Sequence, residues 1–232
     1  MPHGSDSREP VPTIQESLKG TSMSTLQTLF AEKLLEVRAI KLQPAEPFTW
    51  ASGWKSPIYC DNRKILSFPL MRSFVKTELT RLVLEEFPDA TAVAGVATGA
   101  IAQGALVADQ LCMPFAYVRS KPKDHGMGNL IEGTLPAGAK VVVVEDLIST
   151  GGSSLRAVGA LRSAGYDVVG MVASFTYGFP VAVQAFEEAG VKLATLTNYD
   201  AVLQMAVQTK YITADQLPTL NAWRANPAEW GV

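Results

Sequence analysis

Cysteine and histidine are scarce in this chain, since each occurs only twice among 232 residues. Cys60 and Cys112 are far apart and belong to no C-x-x-C or zinc-type spacing, which disfavours a disulfide framework and a structural zinc site. This cysteine usage is typical of a reducing compartment, and we therefore expect a cytoplasmic protein. Of the histidines, His3 lies near the N-terminus and His125 lies in a basic segment.

A strong charge imbalance and long apolar runs are also lacking. The formal net charge of −2 gives no broad attraction to nucleic acid or to anionic lipid, so we expect neither a nucleic-acid partner nor a membrane. No apolar run approaches the roughly 20 residues that span a bilayer. Residues 1–22 lack the apolar core of a secretory signal, and we expect a disordered polar tail there, with Met23 as an alternative start. Residues 23–232 are expected to form one domain, because 47% of the chain is hydrophobic.

Apolar runs of strand length alternate with helical patterns from Thr91 onward. The apolar runs are continuous, which indicates a parallel sheet that is covered on both faces. We therefore predict an α/β fold with a doubly wound, mostly parallel sheet, helices on both faces and a core at about residues 90–200. The predicted strands are 91–96, 113–118, 139–145, 167–175 and 191–196, and the predicted helices are 101–112, 153–164 and 180–189.

An addition of helix and short hairpin precedes this sheet. Apolar residues at helical spacing predict a helix over residues 26–37, and Pro69 suits the first turn of a second helix. Between these helices, residues 48–50 and 58–60 are predicted strands around a Ser-Gly turn. The hairpin addition occupies about residues 40–65.

The segment KVVVVEDLISTGGSSL, Lys140–Leu155, leads from an apolar strand through two acids into a run of hydroxyls and glycines. At a strand C-terminus that opens a helix, small residues let backbone N–H groups converge on an anion, and the helix dipole adds attraction. We interpret the run as a phosphate cradle, with an ordinary strand-to-helix turn as the alternative. It is not a nucleotide P-loop, because the G-x-x-x-x-G-K-[ST] pattern is absent.

The two acids, Glu145 and Asp146, would by themselves repel a phosphate. Carboxylates accept hydrogen bonds strongly from hydroxyl groups, so the pair fits a ligand that carries hydroxyls close to its phosphate, as a sugar phosphate does. The pair could also hold Mg²⁺ through the water shell of the ion, without a direct metal ligand from the protein.

The sequence VVVVEDLISTGGSS resembles the phosphoribosyl pyrophosphate (PRPP) motif of the type I phosphoribosyltransferases. In that family the acid pair binds the ribose hydroxyls, the following loop binds the 5′-phosphate, and Mg²⁺ is bound through PRPP. The resemblance implies a catalytic role for Asp146. It also implies PRPP binding by a continuous set of residues: Glu145, Asp146, Leu147, Ile148, Ser149, Thr150, Gly151, Gly152 and Ser153.

A basic loop, Val118–Gly133, holds four potential cations among glycines and a proline. Such a loop suits either a lid over a charged leaving group or a solvated surface. Its order K-P-K-D-H-G resembles the catalytic loop of the orotate phosphoribosyltransferase family. The resemblance implies that Arg119, Lys121, Lys123 and His125 bind the pyrophosphate of PRPP, with Lys123 and His125 catalytic. It further implies a homodimer in which this loop completes the active site of the partner.

Three other segments carry the same resemblance. GVATGAIAQG, residues 95–104, resembles the pyrophosphate-binding loop, and the chain from Lys210 resembles the C-terminal helix of the subfamily. FTWASGWKSPIYCDNR resembles the hood that covers the base, although a purely structural hairpin is the alternative. A pocket for orotate needs an aromatic wall, a cation for its carboxylate and polar groups at the ring edge. The candidates for orotate binding are Lys55, Tyr59, Arg63 and Ser149.

The resemblance as a whole implies an enzyme of pyrimidine synthesis. Such an enzyme converts the small molecules orotate and PRPP into orotidine 5′-monophosphate and pyrophosphate. Two alternatives stay open: a purine-base phosphoribosyltransferase, and a PRPP-sensing regulator that binds PRPP without turning it over.

Overall fold

The computed structural model of the chain describes residues 25–50, 53–121 and 130–231. The elements before the central sheet are α1 (Thr25–Glu36), β1 (Ile40–Leu42), β2 (Phe48–Thr49), β3 (Lys55–Ser56), β4 (Ile58–Cys60), a 3-10 helix (Asn62–Ser67) and α2 (Pro69–Glu86). The following elements are β5 (Ala92–Val96), α3 (Ile101–Leu111), β6 (Phe115–Val118), β7 (Ile131–Glu132), β8 (Lys140–Ile148), α4 (Gly152–Ser163), β9 (Asp167–Thr176), α5 (Pro180–Glu188), β10 (Leu193–Asn198), α6 (Tyr199–Gln208), a 3-10 turn (Ala214–Gln216) and α7 (Leu217–Ala225).

A six-stranded sheet forms the centre of the structure, in the order β10-β9-β8-β5-β6-β7. All neighbouring pairs are parallel except β6 with β7, which is antiparallel. Every residue of β5 is buried, and Val141 to Val144 of β8 have no exposed surface, so both faces of the sheet are covered there. The predicted α/β fold is confirmed. The short strand β7 and the helix α6 were not predicted.

The segment before α2 forms two antiparallel ribbons instead of one hairpin. β2 pairs with β3, whereas β4 pairs with β1, with Ile40 opposite Cys60. The predicted strand at 58–60 therefore exists but has another partner. The reason is Pro57 between β3 and β4, which has no N–H to donate to a strand partner, while its carbonyl accepts from the N–H of Gln43 over 2.7 Å. We call this segment, residues 40–67, the hood.

Helix α7 attaches the hood to the rest of the molecule through an aromatic cluster. The side chain of Trp223 is fully buried, and its ring centroid lies 5.6 Å from Trp50 of the hood and 5.5 Å from Tyr177, just after β9. Its indole N–H donates to the carbonyl of Lys55 over 3.2 Å. The C-terminal segment thus forms a helix, as its resemblance implied, and that helix fixes the hood.

Residues 1–22, expected to form a polar tail, lie outside the described residues. Across the described ranges, no helix combines the length and the apolar character that crossing a membrane requires.

Candidate active site

The loop between β8 and α4 depends on a glycine at its turn. Gly151 has φ of +81° and stands at the N-cap of α4, a backbone conformation that side chains rarely adopt. A Cβ at this position would lie 2.9 Å from the ring of Phe186, so the packing also requires glycine. The turn directs the first backbone N–H groups of α4 toward the C-terminal end of the sheet, where an anion can bind.

Two loops that the sequence places apart meet in a cavity of about 270 Å³ at this end of the sheet. The acid pair and most of the hydroxyl and glycine run line one side, and the loop after β5 lines the other. The lining residues are Val96, Ala97, Thr98, Gly99, Glu145, Asp146, Leu147, Ser149, Thr150, Gly151 and Ser153. Ile148 is fully buried away from this lining, and Gly152 begins α4.

Glu145 is held by the protein through both of its carboxylate oxygens. Oε1 accepts from the backbone N–H of Asp146 over 3.0 Å, and Oε2 accepts from the Ser154 hydroxyl over 2.9 Å. The residue is only 4% exposed. Burial, followed by the charge of Asp146, raises the pKa of Glu145 to about 9. Glu145 is therefore the fixed member of the pair.

Asp146 is the member of the pair that lies against the opposite loop. A Cβ built on Gly99 would fall 2.1 Å from Asp146 Oδ2, so the carboxylate occupies the space that a side chain would need. The Asp146 carbonyl accepts from the side-chain amide of Asn62, in the hood, over 2.6 Å. Burial raises the pKa of Asp146, and the charge of Arg63 opposes this rise. Asp146 thus joins the β8 strand, the loop after β5 and the hood.

The basic loop is described only at its ends. Arg119 follows β6 and forms an ion pair with Glu132 of β7, with an Nη1 to Oε1 distance of 3.4 Å. Lys121 is exposed. Lys123 and His125 lie outside the described residues, so their predicted roles stay predictions.

The three predicted orotate residues of the hood have different surroundings. The Arg63 side chain is 61% exposed and its Nε lies 2.7 Å from Asp61 Oδ1. Its positive charge also lowers the pKa of Asp146, against the larger effect of burial. The Tyr59 ring packs on Phe48 with centroids 5.7 Å apart. Lys55 donates from Nζ to the Thr49 hydroxyl over 2.9 Å, within the β2–β3 ribbon. Of the three, Arg63 has the clearest electrostatic link to the acid pair.

Two residues of the site escaped sequence analysis. Ser154 is the last residue of the quoted hydroxyl and glycine run, but the predicted binding residues ended at Ser153, so its place in that run was the available signal. Asn62 lies 84 positions from Asp146 in the sequence, and no local pattern indicates that contact.

The acid pair could supply only some of the oxygen ligands that Mg²⁺ requires. The part of the chain that the structure describes contains no cluster of three or more His, Cys, Asp or Glu side chains that could bind a metal. Mg²⁺ commonly keeps several waters and is held by one or two carboxylates together with substrate phosphates. Asp146 fits this pattern if the ligand supplies the remaining oxygens, whereas Glu145, whose raised pKa keeps it protonated near neutral pH, would contact the ion only through water.

Comparison with known proteins shows which family the chain belongs to. The profile of the phosphoribosyl transferase domain matches residues 76–198. An orotate phosphoribosyltransferase of Bacteroides fragilis is 69% identical over 208 residues, which cover 90% of this chain and 98% of that protein. One of Porphyromonas gingivalis is 62% identical over 210 residues, covering 90% of this chain and all of that protein. The crystal structure of orotate phosphoribosyltransferase from Aeropyrum pernix is 29% identical, with a TM-score of 0.67 over 79% of this chain and 99% of that one.

The fold and the cavity at the end of β8 define a phosphoribosyltransferase. Within that class, the chain belongs to the orotate phosphoribosyltransferase family, with identities of 62–69% to the two bacterial relatives. The resemblance read from the sequence is confirmed.

Proposed function

We propose that the chain transfers the 5-phosphoribosyl group of PRPP to orotate, giving orotidine 5′-monophosphate and pyrophosphate in pyrimidine synthesis. One observation carries the proposal: the acid pair and the hydroxyl loop of β8–α4 face the Ala97–Gly99 loop across one cavity, in a member of this family. The cavity offers carboxylates for a diol and backbone N–H groups for a phosphate, the two features of a ribose 5-phosphate.

Within the cavity, each element has a separate task. Ser149 to Ser153 and the first N–H groups of α4 bind the 5′-phosphate, and Asp146 accepts from a ribose hydroxyl. Glu145 holds the Asp146 peptide through its N–H. The Ala97–Gly99 loop binds the pyrophosphate with backbone groups. These contacts fix the ribose so that its C1 atom faces the base, and positioning of this kind is a major contribution to rate.

The leaving pyrophosphate gains negative charge as the bond to the ribose breaks. Cations aimed at that charge lower the barrier, and one well-placed donor is worth roughly 10²–10³ in rate. We assign this task to Arg119, Lys121, Lys123 and His125. Arg119 must exchange its ion pair with Glu132 for the ligand. Mg²⁺ would be held through PRPP, with Glu145 or Asp146 contacting its water shell, and it supplies further neutralisation when bound.

The base lies under the hood in this proposal. Arg63 is the partner of the orotate carboxylate, because its Nε bonds to Asp61 while its Nη groups have no hydrogen-bond partner among the described residues. Tyr59 forms the aromatic wall, and Lys55 and Ser149 supply polar contacts at the ring edge. A cytoplasmic homodimer in which the basic loop enters the site of the partner belongs to the same proposal. Both cysteines are free thiols, as that compartment requires.

A turnover assay with Mg²⁺ and PRPP tests the proposal. Orotate, uracil, adenine, hypoxanthine and xanthine are supplied separately, and nucleotide formation is followed. We expect turnover with orotate alone. Turnover with a purine would overturn the assignment of the hood, and tight PRPP binding without turnover on any base would make the protein a PRPP sensor.

A further inference from the structure

Asn62 is a buried polar residue that the proposed chemistry has not used. It begins the 3-10 helix of the hood and is 5% exposed. Its Nδ2 donates to the backbone carbonyl of Asp146 over 2.6 Å, and its Oδ1 accepts from the Cys60 thiol at 3.4 Å. Both ends of the carboxamide are therefore engaged, which fixes its orientation.

The strand pairing explains why Asp146 needs this partner. β8 pairs with β5 only as far as Val144, which lies opposite Gly95. On its other side, β8 pairs with β9 as far as Ile148. Asp146 thus lies beyond the end of β5, where β8 has a strand on one side only. The Asn62 carboxamide provides the hydrogen bond that a strand would otherwise provide.

The neighbours of Asn62 in the sequence also interact electrostatically with Asp146. The charges of Arg63 and Asp61 shift the pKa of Asp146 in opposite directions, and the charge of Asp146 contributes to the raised pKa of Cys60, after the larger effect of burial. Residues 60–63 of the hood therefore lie near Asp146, and Asn62 contacts it directly. The same short segment adjoins Tyr59 and includes Arg63, the two residues proposed to hold the base.

From these contacts we infer that Asn62 is a positioning residue, which holds the Asp146 peptide in the orientation that binds the ribose of PRPP and links this peptide to the base-covering hood. Asn62 touches neither substrate, and it acts through Asp146. The inference rests on the proposed function for its substrate, but it is tested by PRPP binding, which does not depend on turnover.

Two variants remove the donor in different ways. Asn62→Ala removes the whole carboxamide, and Asn62→Asp keeps its volume but places a second acceptor toward the Asp146 carbonyl. Lys64→Met is the matched control, because Lys64 lies in the same 3-10 helix and its Nζ donates to the carbonyl of Arg38, away from the cavity, over 3.2 Å. Calorimetry gives the dissociation constant of PRPP with Mg²⁺ in the absence of orotate, and steady-state kinetics give kcat and both KM values.

We expect each Asn62 variant to weaken PRPP binding about tenfold, because the Asp146 peptide loses the hydrogen bond that holds it in the binding orientation before PRPP arrives. The KM for orotate should change less than twofold. Lys64→Met should change neither the dissociation constant of PRPP nor the KM of either substrate. PRPP dissociation constants within twofold of wild type in both Asn62 variants would overturn the inference. An equal loss for both substrates, in proportion to a lower melting temperature and matched by Lys64→Met, would also overturn it. If the wild-type protein binds PRPP but does not convert orotate, the proposed function is refuted while the inference about Asn62 stands.

Discussion

The Ser154 hydroxyl donates to Glu145 Oε2 over 2.9 Å, and both side chains are buried. Ser154 lies in the first turn of α4, and Glu145 lies near the end of β8. The bond therefore joins the helix that begins the phosphate site to the acid pair. It holds one carboxylate still while leaving the neighbouring Asp146 to face the cavity.

Removal of that hydroxyl should destabilise the protein. Ser154→Ala leaves Glu145 Oε2 without its partner in a buried position, which should lower the free energy of unfolding by about 1–3 kcal/mol. Urea denaturation measures the difference. Ser163→Ala, an exposed position at the end of the same helix, is the control and should lie within about 0.5 kcal/mol of wild type. Equal stability of the two variants would show that the bond contributes nothing.

The raised pKa of Glu145 predicts a pH dependence of stability. The folded protein keeps this proton up to about pH 9, whereas the unfolded chain loses it near the ordinary glutamate pKa of about 4.3. Between these values the folded state binds more protons, so its stability falls as pH rises, by up to about 1.4 kcal/mol per pH unit. Glu145→Gln removes this titration. The stability of Glu145→Gln relative to wild type should thus increase from pH 5 to pH 8 in urea titrations, and a constant difference would contradict the assignment.

The part of the site that the sequence predicts is the part that is continuous in the chain. Residues 145–153 form one strand end and one loop, so composition and order were enough to indicate a phosphate and a diol. Asp146 depends on two residues far away in the sequence: Gly99, 47 positions away, leaves room for its carboxylate, and Asn62, 84 positions away, donates to its carbonyl. Their meeting point depends on where β5 ends and on how the hood folds over the sheet.

The strand pairing of the hood also depends on contacts between segments that are distant in the sequence. Apolar runs indicated the strand at 58–60, but they could not choose its partner among several short segments of similar composition. The burial of Ile58 and its pairing with Leu42 settle the choice only once α1 and the sheet provide a surface to pack on. Short strands with few alternating positions specify their register weakly.

Gly99 should tolerate no side chain. A Cβ at this position would lie 2.1 Å from Asp146 Oδ2, so the carboxylate or the loop must move. Misplacement of about 1 Å can reduce the rate about 10²-fold, and we expect Gly99→Ala to lower kcat/KM for PRPP at least tenfold. Gly159→Ala is the control, because a Cβ there meets open space on α4. That variant should keep full activity and gain up to about 1 kcal/mol of stability. Equal kcat/KM values for both variants would show that Gly99 is replaceable.

Trp223 should account for much of the attachment of the hood. Trp223→Ala removes a fully buried ring from the aromatic cluster and should cost about 3–5 kcal/mol of unfolding free energy. Trp223→Phe keeps an aromatic ring but loses the hydrogen bond to the Lys55 carbonyl, so a smaller loss is expected. Thermal and urea unfolding should rank wild type above Phe and Phe above Ala. If the Phe and Ala variants lose the same unfolding free energy, the ring itself contributes little and the hydrogen bond of the indole N–H dominates.

Lys123 provides the most direct test of the basic loop. We expect Lys123→Ala to lower kcat on the order of 10²-fold or more, because the variant loses a cation aimed at the charge that develops on pyrophosphate. Its melting temperature should stay near that of wild type. Lys140→Ala is the control: it removes the same charge at the start of β8, and β8 carries the acid pair near its other end. Within the described ranges the Lys140 side chain pairs with Asp89 alone, at 3.5 Å, so its loss should leave kcat unchanged. An unchanged kcat in Lys123→Ala would remove the basic loop from the catalytic machinery.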